Sequence, residues 1–146
     1  MRALLAYPED SAGGIMTTEF AHAPSGLSVG ATLAYLRQSE DARDDEVMYY
    51  VYVLDETGVL HGVVSLRDLV MASPAASTDT LIETDPVMVS PLAAQHDAAY
   101  LIAKYNLLAL PVVEEESGAM LGIVTVDDAL DAVLPTAWKK RLPRFF

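Results

Sequence analysis
The stretch Val51-Tyr-Val-Leu-Asp-Glu-Thr-Gly58-Val-Leu-His-Gly62-Val-Val-Ser65-Leu-Arg67-Asp68 decides the reading of this chain, because it occurs twice. The second copy runs Pro111-Val-Val-Glu-Glu-Glu-Ser-Gly118-Ala-Met-Leu-Gly122-Ile-Val-Thr125-Val-Asp127-Asp128. Gly58 matches Gly118, Gly62 matches Gly122, Ser65 matches Thr125 and Asp68 matches Asp128, every pair at the same numbering offset of 60. That constant offset aligns the block without a gap. A fixed period over a whole unit predicts a repeated supersecondary element.

Within one copy, residues 51–54 are apolar and rich in β-branched and aromatic side chains, which predicts a buried strand. Asp55-Glu-Thr-Gly58 has the chemistry of a turn, with Gly at the position that takes positive φ. Residues 60–65 form the second strand of a hairpin. Ser65 then caps a helix whose apolar face is Leu66, Leu69 and Val70. Thr125 caps the second copy ahead of Val126, Ala129, Leu130 and Val133. A Ser or Thr at a strand-to-helix junction, with Asp three residues on, has two readings. One is a plain capping box worth about 1 kcal/mol. The other is a ligand site, with free N–H groups and a positive dipole end turned toward a phosphate and a carboxylate toward a ribose. Duplication favours the second, since two equivalent junctions related by a pseudo-twofold axis face one cleft.

The same strand–helix beginning precedes each hairpin. Residues 20–23 predict a strand, and Ser28 caps a helix over 29–38. In the second repeat, at an offset of 66, 87–89 predict a strand and 96–105 a helix. The offset falls from 66 to 60 because the first repeat carries an acidic insertion, Asp41 to Glu46. Each unit therefore reads strand–helix–strand–strand–helix, and only the pair buries both helix layers around one core. The fold class is α/β (α+β), two pseudo-twofold-related units packed as one module. Its divisions are an N-terminal junction segment (1–17), unit 1 (18–72), a linker (73–81), unit 2 (82–134) and a basic tail (135–146).

Composition removes several function classes. The 146 residues are 52% hydrophobic, enough for a core. With no cysteine there is no disulfide framework, thiolate metal site or cysteine nucleophile. No apolar run approaches the roughly 20 residues of a membrane span, and the N-terminus does not read as a signal peptide. The net charge of −12 disfavours nucleic acid as a partner; it reads as a solvated surface or, more sharply, as suited to hard divalent cations, which prefer carboxylate oxygens. An enzyme is the least favoured class. Ser65 has no readable His–Asp partners, and His22, His61 and His96 lack metal-ligand spacing.

The paired Gly-x-x-Ser/Thr-x-x-Asp elements, Gly62 to Asp68 and Gly122 to Asp128, in this element order resemble a tandem pair of CBS domains, a Bateman module. Tyr7-Pro-Glu-Asp-Ser-Ala-Gly-Gly-Ile-Met-Thr17 resembles the junction segment of MgtE-type magnesium transporters, and Tyr50-Val-Tyr-Val and Val64-Ser-Leu-Arg67-Asp68-Leu resemble the CBS region of that family. The resemblance implies a cytoplasmic, non-catalytic regulatory module that dimerises, closes when Mg2+ binds between acidic surfaces, and acts on a membrane transport domain of the same or an associated chain. It also implies an adenosine nucleotide, ATP or AMP, in the cleft. Carried onto this sequence, Ser65 and Thr125 face phosphate, Asp68 and Asp128 the ribose, and Arg67 the base or a phosphate. Asp127 stands where the first copy has Arg67, so the half-sites differ and the one with Arg67 is favoured. The implied metal ligands are Asn106, Asp127, Asp128 and Asp131. Asn106 is neutral where a carboxylate would bind more strongly, and the tail, Lys139-Lys-Arg141 and Arg144, is basic. The alternative is a stand-alone nucleotide-binding regulator of another partner. Surplus apolar residues on the repeat helices, Leu66, Leu69, Val70 and Met71 and also Ala129, Leu130 and Val133, predict a homodimer through those helices.

Overall fold
The structure, a computed structural model, describes residues 7–39 and 49–134. The acidic insertion at 41–46 and the basic tail lie outside the described residues. The elements are α1 (Ala12–Ile15), β1 (His22–Pro24), α2 (Val29–Gln38), β2 (Tyr50–Leu54), β3 (Leu60–Ser65), α3 (Leu66–Met71), a 3-10 turn (Thr78–Thr80), α4 (Gln95–Tyr105), β4 (Ala109–Val113), β5 (Met120–Thr125) and α5 (Val126–Val133). β1, β2 and β3 form one sheet, with β1 parallel and β3 antiparallel to β2, and β4 and β5 form a second, antiparallel sheet.

The two units obey the pseudo-symmetry bond by bond. Ala12 N–H donates to Ala93 O at 2.8 Å, and its symmetry counterpart, Thr78 N–H, donates to Leu27 O at 3.0 Å. Gln95 N–H to Asp10 O and Val29 N–H to Ala76 O repeat the relation, both at 2.8 Å. The segment ahead of each unit pairs with the last strand of the other unit: Thr17 bridges Ile123 on β5, and Glu83 bridges Val63 on β3. The units are thus interlocked by exchanged arms. Gly62 and Gly122 sit at these crossings. A Cβ on Gly62 would lie 2.5 Å from Glu83 O, and one on Gly122 2.5 Å from Thr17 O, so only glycine lets the arms approach.

Three local expectations are corrected. First, the duplicated block does contain a gap. Tyr50 pairs with Ser65 and Ala109 with Thr125, so β2 and β4 correspond at an offset of 59, whereas β3 and β5 keep the offset of 60. The second hairpin loop is one residue longer: Gly58 N–H closes on Asp55 O three residues back, and Gly118 N–H on Glu114 O four back. Second, no strand forms over 87–89, only a parallel bridge between Val89 and Val112. In unit 1 the flanking bonds come from Tyr52 N–H to Ala21 O and Ser25 N–H to Leu54 O. The register counterparts of those donors are Pro111 and Pro91, which have no N–H to give. Third, β1 begins at His22 rather than Phe20, and α4 begins at Gln95 behind Ala94, with no side-chain cap.

The core has three parts. Val29, Leu36, Val51, Val53, Val64 and Leu69 pack inside unit 1. Ala98, Ile102, Leu110, Val112, Val124 and Ala129 pack inside unit 2 with Ala12 and Met16 of the N-terminal arm. Phe20, Tyr52, Ala109 and Ile123 join the units across the pseudo-axis. Alternation along β2 assigns these layers: Val51 and Val53 face the helices of unit 1, and Tyr52 faces the other unit.

Candidate functional site: the cleft between the two units
The sequence-predicted junctions form as capped helix starts. Ser65 Oγ accepts from Asp68 N–H at 3.0 Å and Thr125 Oγ1 from Asp128 N–H at 3.2 Å. Leu66 N–H donates to Tyr49 O and Val126 N–H to Leu108 O. Two of the first three N–H groups of each helix are therefore already bonded within the protein, and α3 has only six residues. A phosphate at this corner would draw mainly on the Arg67 side chain, which is exposed, as is Asp68.

Between the units lies a cavity of about 330 Å³, lined by Tyr50, Tyr52, Val63, Glu83, Asp85, Pro86, Val87, Tyr105, Leu107, Ala109 and Pro111. Its walls come from β2 and β3, the exchanged arm 83–87, and the α4–β4 corner. Tyr50, directly opposite Ser65 in the β2–β3 register, and Ala109, directly opposite Thr125 in β4–β5, are lining residues, whereas the capping residues themselves are not. Tyr50 is held across the units, its hydroxyl accepting from Leu108 N–H at 3.1 Å. Arg67 and Asp68 lie beyond the lining, on the first turn of α3.

The cleft is not symmetric. Under the offset of 66, Phe20 takes the place of Pro86. Its ring is buried edge-on to Tyr52, with centroids 5.8 Å apart. An aromatic side chain fills that position in one half, and the smaller proline ring leaves space in the other. Sequence reading found the capping residues and missed the lining. The signal was present in Tyr50 and Tyr52, which alternate on one strand where the second copy has Ala109 and Pro111, and only the offset of 59 reveals that contrast.

None of the expected cation ligands is among the residues that line this cavity. Asn106 is the left-handed C-cap of α4, with φ 54°, and Asp127, Asp128 and Asp131 are exposed on α5. Among the described residues no three His, Cys, Asp or Glu side chains gather into a group that would hold a metal ion. Nor is any described helix long and apolar enough to cross a membrane.

The CBS domain family model matches residues 12–75 and 79–135, two successive copies over most of the chain. The chain belongs to the CBS domain family. As a CBS pair it is similar to the magnesium transporter MgtE of Thermus thermophilus, 44% identical over 91% of this chain and 29% of the transporter. It is also similar to MgtE of Bacillus subtilis, 37% identical over 92% of this chain and again 29% of the transporter. The CBS pair thus spans less than a third of these relatives. The crystal structure of the cytosolic domain of the Mg2+ channel MgtE in complex with ATP has a TM-score of 0.83 to it at 44% identity, over 90% of this chain and 52% of that one. That of the soluble part of a magnesium transporter has the same TM-score at 36% identity, covering 90% of this chain and 50% of that one.

Proposed function
We propose that this CBS pair is the cytoplasmic regulatory region of an MgtE-type magnesium transporter, binding an adenosine nucleotide in its cleft and responding to Mg2+. The observation that carries the reading is the cavity between the units, whose lining includes Tyr50, the register partner of Ser65, and Ala109, the register partner of Thr125. Its volume is at the lower end of ligand pockets, which span about 300–1,000 Å³. That size suits a base, with the ribose and phosphates outside it. Asp68 is the acceptor for the ribose hydroxyls and Arg67 the partner of the phosphates. The Thr125–Asp128 junction lacks the arginine, Asp127 standing in its place. Similarity to a cytosolic domain crystallised with ATP supports this choice of ligand.

Mg2+ acts in this proposal on surfaces rather than in a closed cage. Mg2+ keeps several waters and needs only one or two direct carboxylates. Asp127, Asp128 and Asp131 share the exposed side of α5, and Asn106 ends the neighbouring α4. The remaining ligands would come from a facing surface, in a second copy of the chain or in another region of the transporter. Val70 and Met71 on α3 and Leu130 and Val133 on α5 are exposed apolar side chains that suit a homodimer contact.

Calorimetric titration with ATP, AMP and Mg2+, separately and together, tests the reading. Asp68→Ala is expected to weaken nucleotide binding about tenfold, the scale of one charge-assisted hydrogen-bond pair. Unchanged affinity in the variant would remove Asp68 from the site, and absence of nucleotide binding by the parent would remove the nucleotide.

A further inference from the structure
Tyr52 is 1% exposed and lines the cavity, and its hydroxyl is buried with no hydrogen-bond partner among the described residues. Buried tyrosine hydroxyls normally find partners, because an unmade hydrogen bond leaves the desolvation penalty of the group unrelieved. Phe20 packs edge-on against the ring at 5.8 Å, and Tyr50 lies T-shaped to it at 6.4 Å. Two aromatic neighbours thus pack on two sides of the ring. Phenylalanine would fill the same space without the penalty. Nor does the pseudo-symmetry call for the hydroxyl, since the register counterpart of Tyr52 is Pro111.

Burial pushes the Tyr52 phenol far up, so it remains an O–H donor at physiological pH. Glu83 and Asp85, whose residues share the cavity wall, disfavour an anionic acceptor there and offer acceptors for an amino group. An acceptor placed against Tyr52 would therefore be neutral, with a donor group beside it. A ring nitrogen beside an exocyclic amine has this pattern.

We propose that the Tyr52 hydroxyl is a specificity-determining contact of the cleft, donating to a ring nitrogen of an aminopurine base. The proposal rests on the nucleotide reading of the cleft. It is tested by titrating the parent and Tyr52→Phe with ATP and with the deaza analogues in which each ring nitrogen in turn is replaced by C–H. Tyr52→Phe is expected to weaken ATP about tenfold. One analogue is expected to bind parent and variant alike, because it lacks the acceptor. Without nucleotide, Tyr52→Phe is expected to melt no lower than the parent, whereas a purely structural hydroxyl would make it melt lower. Equal ATP affinity in parent and variant overturns the proposal, as does a Tyr52 effect that persists undiminished in every analogue. If the parent binds no ATP, the nucleotide reading itself fails, an outcome distinct from equal binding by both.

Discussion

At the scale of single residues, the two copies differ most tellingly where the repeat is otherwise strict. Thr32 and Thr78 share a buried hydroxyl–hydroxyl hydrogen bond of 2.9 Å, and their counterparts in the other repeat are Ala98 and Ala12, both fully buried. The contact surface tolerates a polar pair or an apolar pair, but not half of each. Thr32→Val leaves the Thr78 hydroxyl buried and unbonded and is expected to destabilise by about 1–3 kcal/mol, while Thr32→Val with Thr78→Val returns close to the parent. Urea midpoints of the three proteins check this, and additive losses would refute it. A second prediction concerns Asp55, whose Oδ1 accepts from Thr57 Oγ1 at 2.7 Å, Thr57 N–H at 2.8 Å and Val59 N–H at 3.0 Å. The Thr57 hydroxyl first, then the Val59 N–H, hold this carboxyl below its ordinary value of 3.8. A group with a depressed folded pKa stabilises fully above its unfolded value and loses that contribution as pH falls through the folded one. The melting-temperature gap between parent and Asp55→Ala is therefore expected at neutral pH and shrinks below pH 3.8. A gap independent of pH would contradict this. Ser65, Thr125 and Asp55 were legible because capping and turn chemistry are local, involving atoms within a turn of one another. Tyr52, Glu83 and Leu107 were not, because their meeting depends on how two units join.

At the scale of elements, the hairpins and their following helices were legible from alternation and caps, since each depends on contacts close in sequence. The first strand of unit 2 misled. Its residues suit a strand, but the donors it needs fall at Pro111 and Pro91, on opposite sides of α4 in the chain. The exchange of arms was equally hidden, although its marker, the glycine pair, stood at the centre of the repeat. Gly62 and Gly122 read as repeat markers alone until Glu83 O and Thr17 O are seen against them. The obstructing atom is backbone in both cases and yields only if the arm moves. Gly62→Ala is expected to destabilise by about 1–3 kcal/mol through overpacking and to loosen the Glu83–Val87 wall of the cavity. Hydrogen exchange at Val63 and Glu83, whose amides bond each other's carbonyls, reads the loosening directly. Protection equal to the parent would show that the arm is held elsewhere.

At the scale of the whole molecule, the repeat, the pseudo-twofold axis, the charge and the Arg67–Asp127 difference between the half-sites were all in the sequence, while the second inequality, Phe20 against Pro86, emerged from packing. A chain of net charge −12 repels itself, and two copies brought together repel further. A divalent ion between facing carboxylates relieves that repulsion in the closed arrangement only, and a ligand that binds one arrangement shifts the equilibrium toward it. Under the proposed function, Mg2+ acts on this CBS pair specifically, through the α5 carboxylates, and not as ionic strength, which any salt would supply by screening. The direct measurement is thermal denaturation in millimolar MgCl2 against KCl of equal ionic strength, for the parent and for Asp128→Asn with Asp131→Asn. A higher melting temperature in MgCl2 is expected for the parent, and no difference between the salts for the double variant. Equal melting in both salts for the parent, or a full Mg2+-specific shift retained by the double variant, would contradict it.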